Sequence, residues 1–132
     1  MPADHRSQLR VRYAETDAMG VLHHGQWPVY WEVGRTGLLR ARYRPYAEIE
    51  RAGILFPVVD YGVRMLAPAH YDDEIEIRTR LAELGRVKLR FTYEGWRGDT
   101  LLATGHSVHG VIDREWRVVR LPAAIAAALA WG

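Results

Sequence analysis

The chain has 132 residues, which at roughly 100–200 residues per domain gives one domain, residues 1–132, and argues against two. With 48% apolar and 26% charged residues it has the composition of a globular protein, and a net charge of +2 from 18 basic and 16 acidic residues excludes a polyanion-binding surface spread over the whole molecule. The absence of cysteine rules out disulfide frameworks, thiolate metal sites and cysteine nucleophiles, and favours a cytosolic setting.

The opening MPADHRSQLR carries charge without an apolar core, so no signal segment is expected. No apolar run approaches the ~20 residues needed to span a bilayer. The expectation is a cytoplasmic protein with no membrane insertion. Leu9, Val11 and Tyr13 alternate with Arg10 and Arg12, the period-2 pattern of a half-buried first strand. From Ala14 to Gly25 no period holds, which predicts a loop, and loops on rigid scaffolds are where chemistry concentrates. From Pro28 the period becomes helical, with Tyr30, Val33, Gly34, Gly37, Leu38 and Ala41 on one face. Pro28 fits only a first helical turn, and Pro45 ends the helix. A second short helix, Tyr46 to Ala52, closes at Gly53 as a C′ glycine.

Beyond Gly53 the pattern predicts strands at Leu55–Leu66, Glu74–Glu83, Lys88–Gly95, Leu101–Asp113 and Arg117–Leu121, with turn signals between the later ones. The Ala-rich stretch from Ala123 to Ala130 reads as the end of the domain. One strand, one long helix and a run of antiparallel strands make an α+β arrangement, a sheet wrapped on a single helix.

Most candidates for chemistry fail on geometry. His106 and His109 point to opposite faces of a strand and cannot share a metal. His23 and His24 are adjacent with no carboxylate at helical spacing, so no metal site is expected. Serines occur only at 7 and 107, a poor basis for a serine triad, and no phosphate-binding or dinucleotide glycine motif is present. A basic stripe with interleaved aromatics is also missing, so no nucleic-acid partner is expected. What remains is the loop Tyr13-Ala-Glu-Thr-Asp-Ala-Met-Gly-Val-Leu-His-His-Gly, running into the helix. Asp17 has two readings there, a loop aspartate bonding its own backbone or a general base or nucleophile. His24 is either a solvated helix-start residue or part of a site where helix N–H groups meet a developing oxyanion.

The stretch Arg12-Tyr-Ala-Glu-Thr-Asp-Ala-Met-Gly-Val-Leu-His-His-Gly, followed by Tyr30-Trp-Glu-Val-Gly-Arg-Thr, resembles the signature of hotdog-fold acyl-CoA thioesterases of the 4-hydroxybenzoyl-CoA and Tol–Pal-associated type. Ala67-Pro-Ala-His-Tyr-Asp-Asp-Glu-Ile-Glu-Ile, Leu101-Leu-Ala-Thr-Gly and Val111-Ile-Asp extend the similarity from about Leu9 to Pro122. The resemblance implies a hotdog fold and a homo-oligomer, a dimer or a homotetramer, with active sites at a subunit interface. It implies an acyl-CoA substrate and no metal or redox cofactor. Asp17 is then the catalytic carboxylate and the His24 N–H polarises the thioester carbonyl, its imidazole also meeting substrate or water. Gly20, Val21 and Leu22 shape the turn and His23 the pocket. Arg86 and Lys88 lie where related enzymes bind CoA phosphates, a task that suits arginine, though an ordinary solvated hairpin is the slightly favoured reading of both. Two departures stand out: Gly34 replaces a usual alanine and His23 a common tyrosine. Glu32 has two readings, a second catalytic carboxylate, since another branch of hotdog thioesterases uses a helix acid, or, preferred in this motif, a partner of Arg35 or of a second subunit. The competing reading is a non-catalytic hotdog module that binds acyl-CoA or an acyl carrier. A hotdog dehydratase would need a histidine in a loop context that is absent here.

Overall fold

Strand β1 (Asp4–Arg10) leads through the loop into helix α1 (Trp27–Arg42), and a short helix α2 (Tyr46–Arg51) follows. The sheet is completed by β2 (Val58–Met65), β3 (Glu74–Leu84), β4 (Lys88–Arg97) and β5 (Thr100–Gly110), and helix α3 (Ala123–Ala130) closes the fold. The computed structural model describes residues 4–130. The five strands run in the order β1-β3-β4-β5-β2, every neighbouring pair antiparallel. This is the expected hotdog: α1 lies across one face of the sheet, chiefly over β1 and β3. Among the described residues no helix is long and apolar enough to cross a membrane.

The alternation read in β3 is realised, with Ile75, Ile77, Thr79 and Leu81 buried under α1. Trp31, 1% exposed, stacks on Tyr93 at 4.9 Å between ring centroids, and such pairs contribute about 0.5–1.5 kcal/mol beyond the area they bury. Gly34 explains the close approach of helix to sheet: a Cβ there would land on Thr79 Oγ1 and within 2.8 Å of Ile77 Cγ2. Gly53 ends the α2 turn with φ +97°, the left-handed conformation that glycine adopts without steric cost.

Several boundaries differ from the sequence reading for identifiable reasons. β1 ends at Arg10, because the Arg12 N–H turns to the Glu15 carboxylate at 2.8 Å and leaves Tyr13 in a 3-10 turn, 76% exposed. On α1, Pro28 sits in the first turn as expected, but Val33 faces outward and Trp27, Trp31 and Leu39 are buried. Bulk at 27 and 31 turns the buried face towards those positions. Arg117–Leu121 is no strand. The Asp113 carboxylate takes the N–H groups of Glu115 and Arg117, leaving a single bridge between Ile112 and Val118. The Ala-rich end is a helix whose Ile125 and Leu129 are buried.

Candidate active site

The loop between β1 and α1 is held by a buried carboxylate. Glu15, 6% exposed, accepts hydrogen bonds from the Arg12 N–H at 2.8 Å, the Arg12 guanidinium at 3.1 and 3.2 Å and the Tyr30 hydroxyl at 2.8 Å. Burial alone would raise its pKa. The hydrogen bonds outweigh that and hold the carboxyl below its ordinary range. Burial and the adjacent Glu15 together push the Tyr30 hydroxyl well above its usual value. The Glu15 carbonyl accepts from His23 N at 2.9 Å, so one residue ties the strand end, the loop and the first turns of α1 together.

Inside that frame Asp17 turns back on itself. Its Oδ1 accepts from Met19 N at 2.9 Å and Val21 N at 3.4 Å, while Asp17 N–H donates to the Val21 carbonyl at 2.9 Å. Gly20 occupies the tip with φ +81°, a conformation a β-carbon would strain. The loop-aspartate geometry is therefore present, and it is compatible with chemistry, because those two N–H groups bond Oδ1 and leave Oδ2 available. His23 accepts the Gly25 N–H on Nδ1 at 3.0 Å and stacks on His24 at 4.2 Å. Its ring serves as a cap for the turn entering α1.

Asp17, Met19, Val21, Leu22, His24 and Trp27 form one wall of an open cleft of about 390 Å³, and Met65 at the end of β2 with Leu66, Ala67, Pro68 and Ala69 of the link to β3 forms the other. The His24 N–H has no acceptor among the described residues, whereas the N–H groups of His23, Gly25 and Gln26 around it are all bonded. A free donor beside a helix start can receive negative charge that develops on a carbonyl oxygen. No group of three or more metal-ligating side chains meets among the described residues.

Thus Asp17, Val21, Leu22 and His24 converge on the cleft, and Gly20 and His23 shape the loop behind it. Arg86 and Lys88 do not converge there. They lie in and after the turn joining β3 to β4, one strand length, or roughly 30 Å, from the end of β3 beside the cleft. Lys88 pairs with Glu83 at 3.8 Å. Glu32 forms no ion pair with Arg35 among the described residues, and its carbonyl accepts from the Thr36 hydroxyl. Sequence reasoning missed a second polar cluster: the Tyr93 hydroxyl bonds Ser107 Oγ, Ser107 Oγ lies 2.8 Å from His109 Nε2, and His109 Nδ1 lies 3.0 Å from the Phe56 carbonyl. Ser107 and His109 are two apart on one strand and so share a face, a signal the sequence does carry.

A single long helix under a curled antiparallel sheet, with a carboxylate loop feeding the helix start, defines the class of hotdog-fold thioesterases. The model of the thioesterase-like superfamily matches residues 11–129. The chain belongs to that superfamily, and with it to the thioester hydrolases. It is similar to YneP of Bacillus subtilis, a candidate acyl-CoA thioesterase by its name, at 32% identity over 83% of this chain and 80% of that one. It is also similar to the acyl-CoA thioester hydrolase YbgC of Escherichia coli, at 33% identity over 66% of this chain and 65% of that one. Among solved structures, protein TT1821 of Thermus thermophilus superposes with a TM-score of 0.91 at 42% identity, covering 95% of this chain and 96% of that one.

Proposed function

We propose that the protein hydrolyses the thioester of an acyl-CoA to the free acid and CoA, with Asp17 as the catalytic carboxylate and the His24 N–H as the oxyanion donor. The observation that carries this reading is that Asp17, a carboxylate with one oxygen to spare, and His24, whose N–H has no acceptor among the described residues, line the same cleft. As general base, Asp17 takes a proton from water as the water oxygen attacks the carbonyl carbon. The C–S bond then breaks, and the CoA thiolate leaves and is protonated. As nucleophile, the Asp17 carboxylate would instead attack the carbonyl carbon, the C–S bond would break with loss of the CoA thiolate, which is then protonated, and water would hydrolyse the resulting acyl anhydride to the free acid and Asp17. In both routes the His24 N–H, in the 3-10 turn that leads into α1, meets the carbonyl oxygen as it becomes negative.

The active protein in this proposal is a homo-oligomer. Edge strand β2 exposes Val58, Val59, Tyr61 and Met65, an unpaired apolar edge of the kind that recruits another strand. Arg86 and Lys88 reach the phosphates of a CoA bound at Asp17 only if they come from a second copy, since within one chain they lie at the far end of β3. The test is thiol release from a panel of acyl-CoAs by wild type and Asp17→Asn side by side. Release by wild type alone supports the reading. Equal release by both removes Asp17 from the mechanism, and tight acyl-CoA binding without release by wild type makes the protein a binding module.

A further inference from the structure

We infer that His23 is a positioning residue for hydrolysis: its neutral ring caps the turn that presents the His24 N–H, and a proton taken up on Nδ1 breaks that cap and lowers the rate. The inference rests on the thioesterase reading above. His23 is the N-cap of the 3-10 turn His24–Gln26, and the start of such a turn leaves its first N–H groups without partners inside it. His23 takes two of them. Its carbonyl accepts the Gln26 N–H at 2.9 Å, and its Nδ1 accepts the Gly25 N–H at 3.0 Å. The residue that closes the turn thereby sets the direction in which the neighbouring His24 N–H points.

Two contacts hold the ring in this place. His24 stacks on it at 4.2 Å between centroids, and a Cβ at Gly25 would lie 3.1 Å from Nδ1 and 3.2 Å from Cε1, so the ring fits the turn because residue 25 has no side chain. The bond to Gly25 belongs only to a neutral imidazole with its proton on Nε2, since a nitrogen that carries hydrogen cannot accept. Serine, threonine and asparagine, common caps at this position, accept without gaining a proton. Histidine makes the same cap conditional on pH. The titratable and charged neighbours of the ring are the stacked His24, then Glu15 and Arg12 across the loop, which bond each other, and Asp17 towards its tip.

The test is kcat and KM for thiol release from one turned-over acyl-CoA, at pH 8 and pH 5.5, with wild type, His23→Leu and His23→Asn. Leucine keeps bulk without an acceptor, whereas asparagine accepts and cannot be protonated. At pH 8 His23→Leu is expected to lower kcat by about tenfold with KM held within about twofold, less than the roughly hundredfold to thousandfold cost of losing an oxyanion donor outright. His23→Asn is expected to recover most of that loss. On acidification wild type should lose a several-fold larger share of kcat than His23→Asn, and what His23→Asn still loses belongs to His24 and Asp17. The Gly25 amide proton, followed by nuclear magnetic resonance over the same interval, should shift further in wild type than in His23→Asn. Equal kcat for all three proteins at pH 8, equal losses in the two variants, or matching acid profiles and Gly25 shifts in wild type and His23→Asn each overturn the inference and leave the thioesterase reading intact. Release from no acyl-CoA by folded wild type overturns both.

Discussion

Two polar clusters lie at the helix face of the sheet, and each holds a pair that could serve catalysis. The Asp17 loop borders an open cleft. The Tyr93–Ser107–His109 chain is sealed, with Ser107 and His109 only 2% and 1% exposed. By side-chain type the sealed cluster is the more tempting, since a serine 2.8 Å from a histidine is the start of a nucleophile and its base. The bonding directions decide otherwise. The Phe56 carbonyl can only accept, so His109 Nδ1 carries the proton, Nε2 accepts from Ser107, and Ser107 accepts from Tyr93. Every group in the chain is committed. What marks the Asp17 loop is unspent capacity with access to solvent: Oδ2 and the His24 N–H both remain available.

The largest effect expected from this contrast is on rate. Asp17→Asn should lower thioester hydrolysis at least a hundredfold, about 2.7 kcal/mol in the barrier, with an unchanged far-UV circular dichroism spectrum. Ser107→Ala should leave kcat within about threefold while costing about 1–3 kcal/mol of stability, because Tyr93 and His109 lose their shared partner. If the two variants exchange these phenotypes, the sealed cluster is the active site. The next effect is on acid stability. Burial pushes His109 down to about 4, against an ordinary value of 6.5. The unfolded chain therefore takes up the proton first as pH falls. The stabilisation is complete above pH 6.5 and is lost on the way down to about pH 4, on the order of 3 kcal/mol at 1.36 kcal/mol per pH unit. Urea unfolding at pH 7 and pH 4.5 should show a larger loss for wild type than for His109→Gln. Equal losses would mean that the histidine contributes nothing to acid sensitivity.

Much of this contrast was legible in the sequence, but unevenly. The period-2 run of β3 and the helical period after Pro28 fixed the layers, because burial on one face leaves its period in the residues. The Asp17 loop was legible as a break in period. Glu15 was not: its role depends on Tyr30 arriving from the helix 15 residues later, a contact that no local spacing reports. Ser107 and His109 were readable as same-face neighbours, yet their satisfaction depends on Phe56 and Tyr93 from other strands and loops. The helix at Ala123–Ala130 carried its own signal in Ile125 and Leu129, four apart and both buried. Arg117–Leu121 looked like a strand because the capture of main-chain N–H groups by Asp113 leaves no mark on the hydrophobic pattern.

A smaller effect refines the comparison with a polar group that is neither open nor satisfied. Thr79 Oγ1 is buried without a hydrogen-bond partner among the described residues, and Gly34 packs directly on it. In an isolated helix Gly34→Ala would stabilise by up to ~1 kcal/mol. Here the new methyl group would collide with Thr79 Oγ1 and Ile77 Cγ2, and overpacking of this kind costs about 1–3 kcal/mol. The net expectation is a loss of about 1 kcal/mol, seen as a Tm lower by about 4 °C. In a Thr79→Ala background the hydroxyl is gone, and the same substitution should become neutral or stabilising, a coupling that a double-mutant cycle measures. Thr79→Ala alone should cost less than Ser107→Ala, because it deserts no bonded partner. If the two cost the same, either hydrogen-bond satisfaction does not separate the sealed relay from its neighbours or the γ-methyl that only Thr79→Ala removes makes up the difference, and Thr79→Val, which keeps the branched shape without the hydroxyl, tells these apart.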